Sequence, residues 1–311
     1  MKNLILTQKT AASIDRHVEK VLKGLGNPEP PLNLELVREL LRLDRAYYTS
    51  SDDSAVRETV SRIKVAGLQI LKRPSLLFEA IKKFDLKALY LPDQRRILID
   101  KSRPPKKQRW DEAHEIGHSL LPWHEEMTLG DNTQTLTPVC HDHLEAEANF
   151  AAGQLLFLKD RFALQANDYA PNLDSIRKLY PVFGNSITTT LWRYIELAHN
   201  QTPMIGVVSC HPHISRRPVD FDATQPCRYT IQSPEFAKRF SKTPELSIFN
   251  TIVSYCGSQS GGPLGKSQCL LYDDNGVSHI FLFETFFNRH DALSLGVYLK
   301  PNPSTFQSFG L

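Results

Sequence analysis

Nowhere in its 311 residues does this chain approach 18 consecutive apolar residues, the length that a membrane-spanning helix requires. Cysteine is scarce too: Cys140, Cys210, Cys227, Cys256 and Cys269 form an odd, scattered set, unlike a disulfide framework. Reduced thiols in a cytoplasmic compartment are the simpler expectation. The N-terminal MKNLILTQKTAAS offers only a three-residue apolar run, too short for the apolar segment of a signal peptide. Net charge is only +3, too little by itself to mark a nucleic-acid-binding protein. No internal repeat or low-complexity segment is found. What is present is an ordinary globular composition, 41% hydrophobic and 23% charged, over a length that suits two or three domains. A cytoplasmic protein with no membrane partner is expected.

The N-terminal third reads as helical. Ala11, Ile14, Val18, Val21 and Leu22 recur at helical spacing over 10–24, and the breaker NPEPP separates this helix from a second at 33–44. A third is expected at 56–72. KALYLPDQRRILID (87–100) changes character: two short apolar runs flank Pro92-Asp93-Gln94, a hairpin signal. A basic loop, KSRPPKKQR, follows. Beyond it the spacing predicts a helix through the histidines at 114 and 118, a polar crossing over 122–142, and an Ala- and Leu-rich helix at 143–162. LDSIRKLYPVFGNSITTTLWRYIELA (173–198) has the form of a helix-turn-helix, with stripes at Leu173, Ile176, Leu179 and at Ile187, Leu191, Ile195 about Gly184-Asn185-Ser186. Pro181 is expected to disturb its first helix. After about residue 200, MIGVVSC, QCLLYDD, SHIFLFETF and LGVYLK read as strands.

Chemistry concentrates in DEAHEIGHSLLPWH (111–124). H-E-x-x-H puts His114 and His118 one helical turn apart, so both imidazoles leave the same face beside Glu115. That pattern arises by chance in about one 300-residue chain in a hundred, so its surroundings have to decide. A catalytic zinc site uses three protein ligands and an open position. The helix at 143–162 offers the third in EAEAN: Glu145 and Asn149 share a face, so Glu145 could bind the ion while Asn149 hydrogen-bonds the back of a ligating imidazole. Glu147 points elsewhere on the helix and is the weaker candidate. In such a site Glu115 acts as general base toward an amide or another hydrolysable bond. Zinc is the expected ion and manganese the alternative.

RWDEAHEIGHSLL followed by EAEANFAAGQLLF resembles the ImmA/IrrE family of zinc metallopeptidases. The resemblance implies an α+β protein. A mostly helical zincin-like metallopeptidase domain with a small β-sheet would occupy 1–165, a helix-turn-helix region 166–200, and a C-terminal mixed α/β GAF-like sensor domain 201–311. It implies zinc on His114, His118 and Glu145, with Glu115 catalytic. It also implies a protein substrate, a helix-turn-helix transcriptional repressor encoded nearby, whose cleavage releases stress or phage-defence genes. Phage-defence regulators of the CapP type share this layout and respond to single-stranded DNA, which makes single-stranded DNA the candidate activator. One departure is that Ala151 stands where the family pattern has Phe, with Phe150 one place early.

Weaker signals surround this core. Cys140 lies five residues before Glu145 and is a candidate inhibitory zinc ligand, the plainer reading being a buried small side chain. His124, His141 and His143 are each candidates to stabilise an oxyanion, and CHPH at 210–213 is a candidate second metal site. Lys101, Arg103, Lys106, Lys107 and Arg109, with Arg177, Lys178 and Arg193, form a candidate nucleic-acid contact. Arg95 to Ile99 is the candidate strand edge for a substrate peptide. A rival from another class is a DNA-binding or ligand-sensing transcriptional regulator whose metal is structural.

Overall fold

The computed structural model describes residues 5–48, 88–91, 95–124 and 138–303, without the side chains of 48, 88, 89, 91 and 138–142. Thr7 starts the first helix: its hydroxyl accepts the Thr10 backbone N–H at 3.2 Å, satisfying one of the donors a helix start leaves unpaired. Helix α1 (Gln8–Gly24) buries Ile14, Val18, Val21 and Leu22, as the periodicity predicts. Asn33 caps the short α2 (Leu34–Leu41) in the same way, through the Glu35 N–H at 2.9 Å. The helix expected at 56–72 lies outside the described residues.

Strands β1 (Asp44–Tyr48), β2 (Ala88–Leu91) and β3 (Arg96–Asp100) form a three-stranded sheet in the order β1-β3-β2. The hairpin is present, with β2 antiparallel to β3; its turn at 92–94 is outside the described residues. Its second strand is not an edge, however. β3 pairs with β1 on one side and β2 on the other, and Ile97, Leu98 and Ile99 are buried on both faces. The candidate substrate edge at Arg95 to Ile99 is thereby ruled out, because its backbone groups are spent within the sheet.

Helices α3 (Pro105–Leu120) and α4 (Pro138–Leu156) pack on each other. The contact is close because Gly117 has no side chain: a Cβ there would meet the Ala148 carbonyl oxygen at 2.7 Å and the Ala151 Cβ at 3.3 Å. Ala151, where the family pattern has Phe, is fully buried at this crossing. Glu112 ties α3 to its neighbours through Arg38 of α2 at 2.6 Å and Arg45 of β1 at 2.9 Å. The single helix expected over 143–162 is two. Leu158 and Lys159 take positive φ angles of 55° and 53°, ending the first run before α5 (Asp160–Asn167). Lys106, Lys107 and Arg109, expected in a loop, lie on α3.

These elements, Leu6–Lys159 with Val182–Asn185, make one compact unit. A second comprises Asp160–Pro181 and the residues from Ser186 onward. In it, α6 (Leu173–Val182) and α7 (Ile187–Leu197) realise the predicted helix-turn-helix. Pro181 falls in the last turn of α6, so the i−4 hydrogen bond it cannot donate is lost only where the helix ends, and the turns ahead of it form. Gly184 supplies a φ of 69° at the turn and Ser186 caps α7 through the Thr189 N–H at 3.0 Å.

Strands β4 (Met204–Ser209), β5 (Cys227–Gln232), β6 (Gly262–Tyr272), β7 (Ser278–Phe287) and β8 (Ala292–Pro301) form an antiparallel sheet in the order β5-β4-β8-β7-β6. The four strands read from sequence are present; β5 and the helices α8 (Pro234–Arg239) and α9 (Glu245–Tyr255) are additions. Phe236 from α8, Phe240 just past its end, and Ile248, Phe249 and Ile252 from α9 cover one face, over Phe281 and Phe283 of β7. Helix α7 approaches the sheet at Gly206, where a Cβ would collide with Ile195 Cδ1. The architecture is α+β, helical first and β-rich after. Among the described residues no helix is long and apolar enough to cross a membrane.

Candidate metal centre

His114 and His118 leave α3 on the face turned toward α4, and Glu145 reaches them from α4. The His118 Nε2 lies 3.1 Å from the His114 Nε2. Glu145 Oε2 is 3.1 Å from the His114 Nε2, and Oε1 is 3.5 Å from the His118 Nε2. Donors sharing one tetrahedral ion at bond lengths of about 2.0–2.1 Å stand about 3.3 Å apart, so this triangle has the right size for zinc. Two imidazole nitrogens and a carboxylate oxygen are also a donor set that a divalent transition metal accepts. Among the described residues this is the one such group of three that could hold a metal ion.

The electrostatics agree. Burial works to lower the His114 pKa, but the hydrogen bond to Glu145 and the Glu115 carboxylate outweigh it and lift the pKa to about 9. Burial works to raise that of Glu145, yet hydrogen bonds from the two histidines hold it well below the usual carboxylate range. Both shifts express a centre that attracts positive charge.

Behind the His114 ring, Asn149 Oδ1 lies 3.0 Å from Nδ1, the contact that its spacing suggested. Glu115 is buried, 7% exposed, close enough to feel the charges of His114 and Glu145. Burial pushes its pKa up to about 7, partly offset by His114, and its carboxylate accepts a hydrogen bond from the Tyr90 backbone N–H. Tyr90 belongs to β2, which among the described strands lies at the edge of the sheet, beyond β3.

Two side chains were undervalued in sequence. His124, just past the end of α3, is 2% exposed and sets its Nδ1 2.9 Å from the Nδ1 of His118. Glu147 Oε2 receives the Trp123 indole N–H at 2.6 Å and lies 3.0 Å from His124 Nε2. Burial drives the His124 pKa down, against the pull of Glu147. The signal available beforehand was a histidine one turn beyond the helix and a second glutamate two residues after Glu145.

The outlying candidates fare unevenly. The Cys140 and His141 side chains lie outside the described residues, and His143 is exposed. At 210–213 the side chains serve the loop itself. His211 is 2.9 Å from the Gln259 carbonyl oxygen, His213 caps a short 3-10 turn, and Cys210 bonds the His211 carbonyl. Of the basic set, Lys101, Lys106 and Lys107 are exposed. Arg103 instead pairs with buried Asp111 at 2.8 Å, and Arg109 donates to the Leu32 carbonyl at 2.8 Å. Arg193 is buried and paired with Glu196 at 3.3 Å, so it is not available to a phosphate. Thr190, at the start of the helix that would read bases, is fully buried.

Residues 66–193 match the model of the Peptidase_M78 family, described as the IrrE N-terminal-like domain. That segment is similar to IrrE N-terminal-like domains. Both helices of the candidate metal centre fall inside that segment. A family of peptidases, typically metal-dependent, is the setting in which the triangle of donors is to be read. A solved structure described as a Mycobacterium tuberculosis transcriptional regulator is similar over 98% of this chain and 93% of its own. Sequence identity is 13% and the TM-score 0.51, a likeness of fold. No curated protein matches the chain.

Proposed function

We propose that the protein is a zinc-dependent endopeptidase that cleaves a partner helix-turn-helix repressor and so derepresses stress or phage-defence genes, with single-stranded DNA as its activating signal. The observation that carries the peptidase reading is the convergence of His114, His118 and Glu145 beside a buried Glu115. The ion on these three residues would polarise the scissile carbonyl and bring the pKa of bound water toward about 7. Glu115, its own pKa raised to about 7, is suited to take a proton from the attacking water and pass it to the leaving amine. Strand β2 is the proposed docking edge in place of 95–99. One of its backbone amides already meets Glu115, and its far side pairs with no described strand. The choice of a repressor as substrate and of single-stranded DNA as signal rests on the family resemblance. Exposed Lys101, Lys106 and Lys107 are the residues we assign to the nucleic acid. We read residues 201–311 as a GAF-like sensor domain, in line with an antiparallel sheet covered by helices, and the protein as cytoplasmic.

The test incubates the purified chain with the helix-turn-helix repressor encoded beside it, with and without short single-stranded DNA, against Glu115→Gln. Cleavage by the wild type and its loss by about 10²–10⁴-fold in the variant, at equal metal content, is the expected result. A metal-loaded wild type that leaves the repressor intact under both conditions would overturn the proposal and favour a regulator with a structural metal.

A further inference from the structure

The two histidines of the centre are supported differently. His114 Nδ1 meets an amide oxygen directly, whereas His118 Nδ1 meets a second imidazole, and that imidazole meets a carboxylate. The protons along the second path can be placed one by one. An ionised Glu147 only accepts, so the His124 nitrogen 3.0 Å away, Nε2, carries the hydrogen. The opposite tautomer would aim a lone pair at a carboxylate from a ring that is almost wholly buried. A neutral imidazole with Nε2–H has its lone pair on Nδ1, so His124 Nδ1 accepts. His118 Nδ1 must then donate across the 2.9 Å contact, which leaves the His118 lone pair on Nε2. That is the nitrogen turned toward His114 and Glu145.

We propose that Glu147 and His124 are positioning residues that set the tautomer and the ring orientation of His118 for metal binding. The proposal rests on the reading of His114, His118 and Glu145 as a metal centre. The path is braced through Trp123. Trp123 donates to Glu147 Oε2 at 2.6 Å, and the Trp123 ring stands edge-on to His17 of α1 at 5.8 Å between centroids. His124 itself is clamped between the Trp123 and His118 rings, at 6.1 and 5.0 Å. An imidazole whose far nitrogen donates to such a chain is a stronger base at the metal, and loss of a supporting partner of this kind typically costs 10–100-fold in metal affinity.

The proposal is tested on the full chain with zinc and cobalt as probes. Zinc affinity is measured by competition with a chromophoric chelator for the wild type, His124→Phe, His124→Gln and Glu147→Gln. The visible spectrum of the cobalt-loaded protein reports ligand geometry. His124→Phe keeps the ring volume and removes the acceptor, so it should weaken zinc binding by about 10–100-fold and alter the cobalt spectrum. His124→Gln returns an acceptor oxygen and should recover most of the loss. In the zinc-loaded wild type, imidazole nitrogen NMR should find the His124 proton on Nε2. Equal zinc affinity and an unchanged spectrum in a folded His124→Phe protein, or a His124 proton on Nδ1, would overturn the relay while leaving the metal centre standing. A wild type that binds neither ion would overturn the centre and the relay together.

Discussion

Around the crossing of α3 and α4 the interior is polar: Asp111, Glu112, Glu115 and His124 are all buried between residues 111 and 124. Under the five-stranded sheet of the second unit the interior is aromatic and aliphatic, with Phe236, Phe240, Phe249, Phe281 and Phe283 in one cluster. Burying an ionised group is costly unless it is paired and hydrogen-bonded, and each group of the first set has a partner: Arg103, the Arg38 and Arg45 pair, the Tyr90 amide, and His118 with Glu147. Both units remove apolar area from water, the first through Ile14, Val18, Ile97 and Ile116 among others; what the first adds is a set of electrostatic partnerships around its site.

That contrast can be broken from either side. The largest effect belongs to the apolar core. Phe281→Ala should lower the stability of the second unit by about 3–5 kcal/mol in denaturant melts, with metal content unchanged. Next, Glu112→Ala strands the Arg38 charge, whose side chain is 11% exposed, and should cost about 3 kcal/mol. Unlike the phenylalanine change, it should also weaken metal binding, because it frees the helix that bears both histidines. Hydrogen exchange localised to 105–120 would separate this outcome from general unfolding. Gly117→Ala should cost about 1–3 kcal/mol by forcing α3 and α4 apart. Its zinc affinity should fall as Glu145 is drawn from the histidines; an unchanged affinity would mean that the crossing does not set the donor triangle. The smallest effect is at the helix-turn-helix. Ser186→Ala removes the α7 cap and should cost about 1 kcal/mol, read as a small shift in melting temperature, with no change at the metal.

How legible each part was in the sequence follows the range of the interactions behind it. The pairing of His114 and His118 is local, fixed by one helical turn, and the Glu145–Asn149 pair repeats that logic on the next helix. Helix-turn-helix stripes, the hairpin and four strands were legible for the same reason. The central place of β3 was not, because it depends on pairing with β1, some fifty residues earlier in the chain. Nor was the break at Leu158 and Lys159, where two non-glycine residues adopt a left-handed backbone that no composition signal marks. The CRYTIQ strand is short and bears only a weak alternation, and it is held by its register with β4. His124 and Glu147 escaped because they meet across 23 residues, through the approach of two helices that Gly117 permits.

The account stands most directly on the ion. Elemental analysis of the purified full-length chain by plasma mass spectrometry, set beside the His114→Ala and His118→Ala variants, puts the donor triangle to the test. One zinc per wild-type chain, lost in both folded variants, is the result it predicts. A wild type without a stoichiometric metal after zinc loading, or variants that keep it, would contradict it.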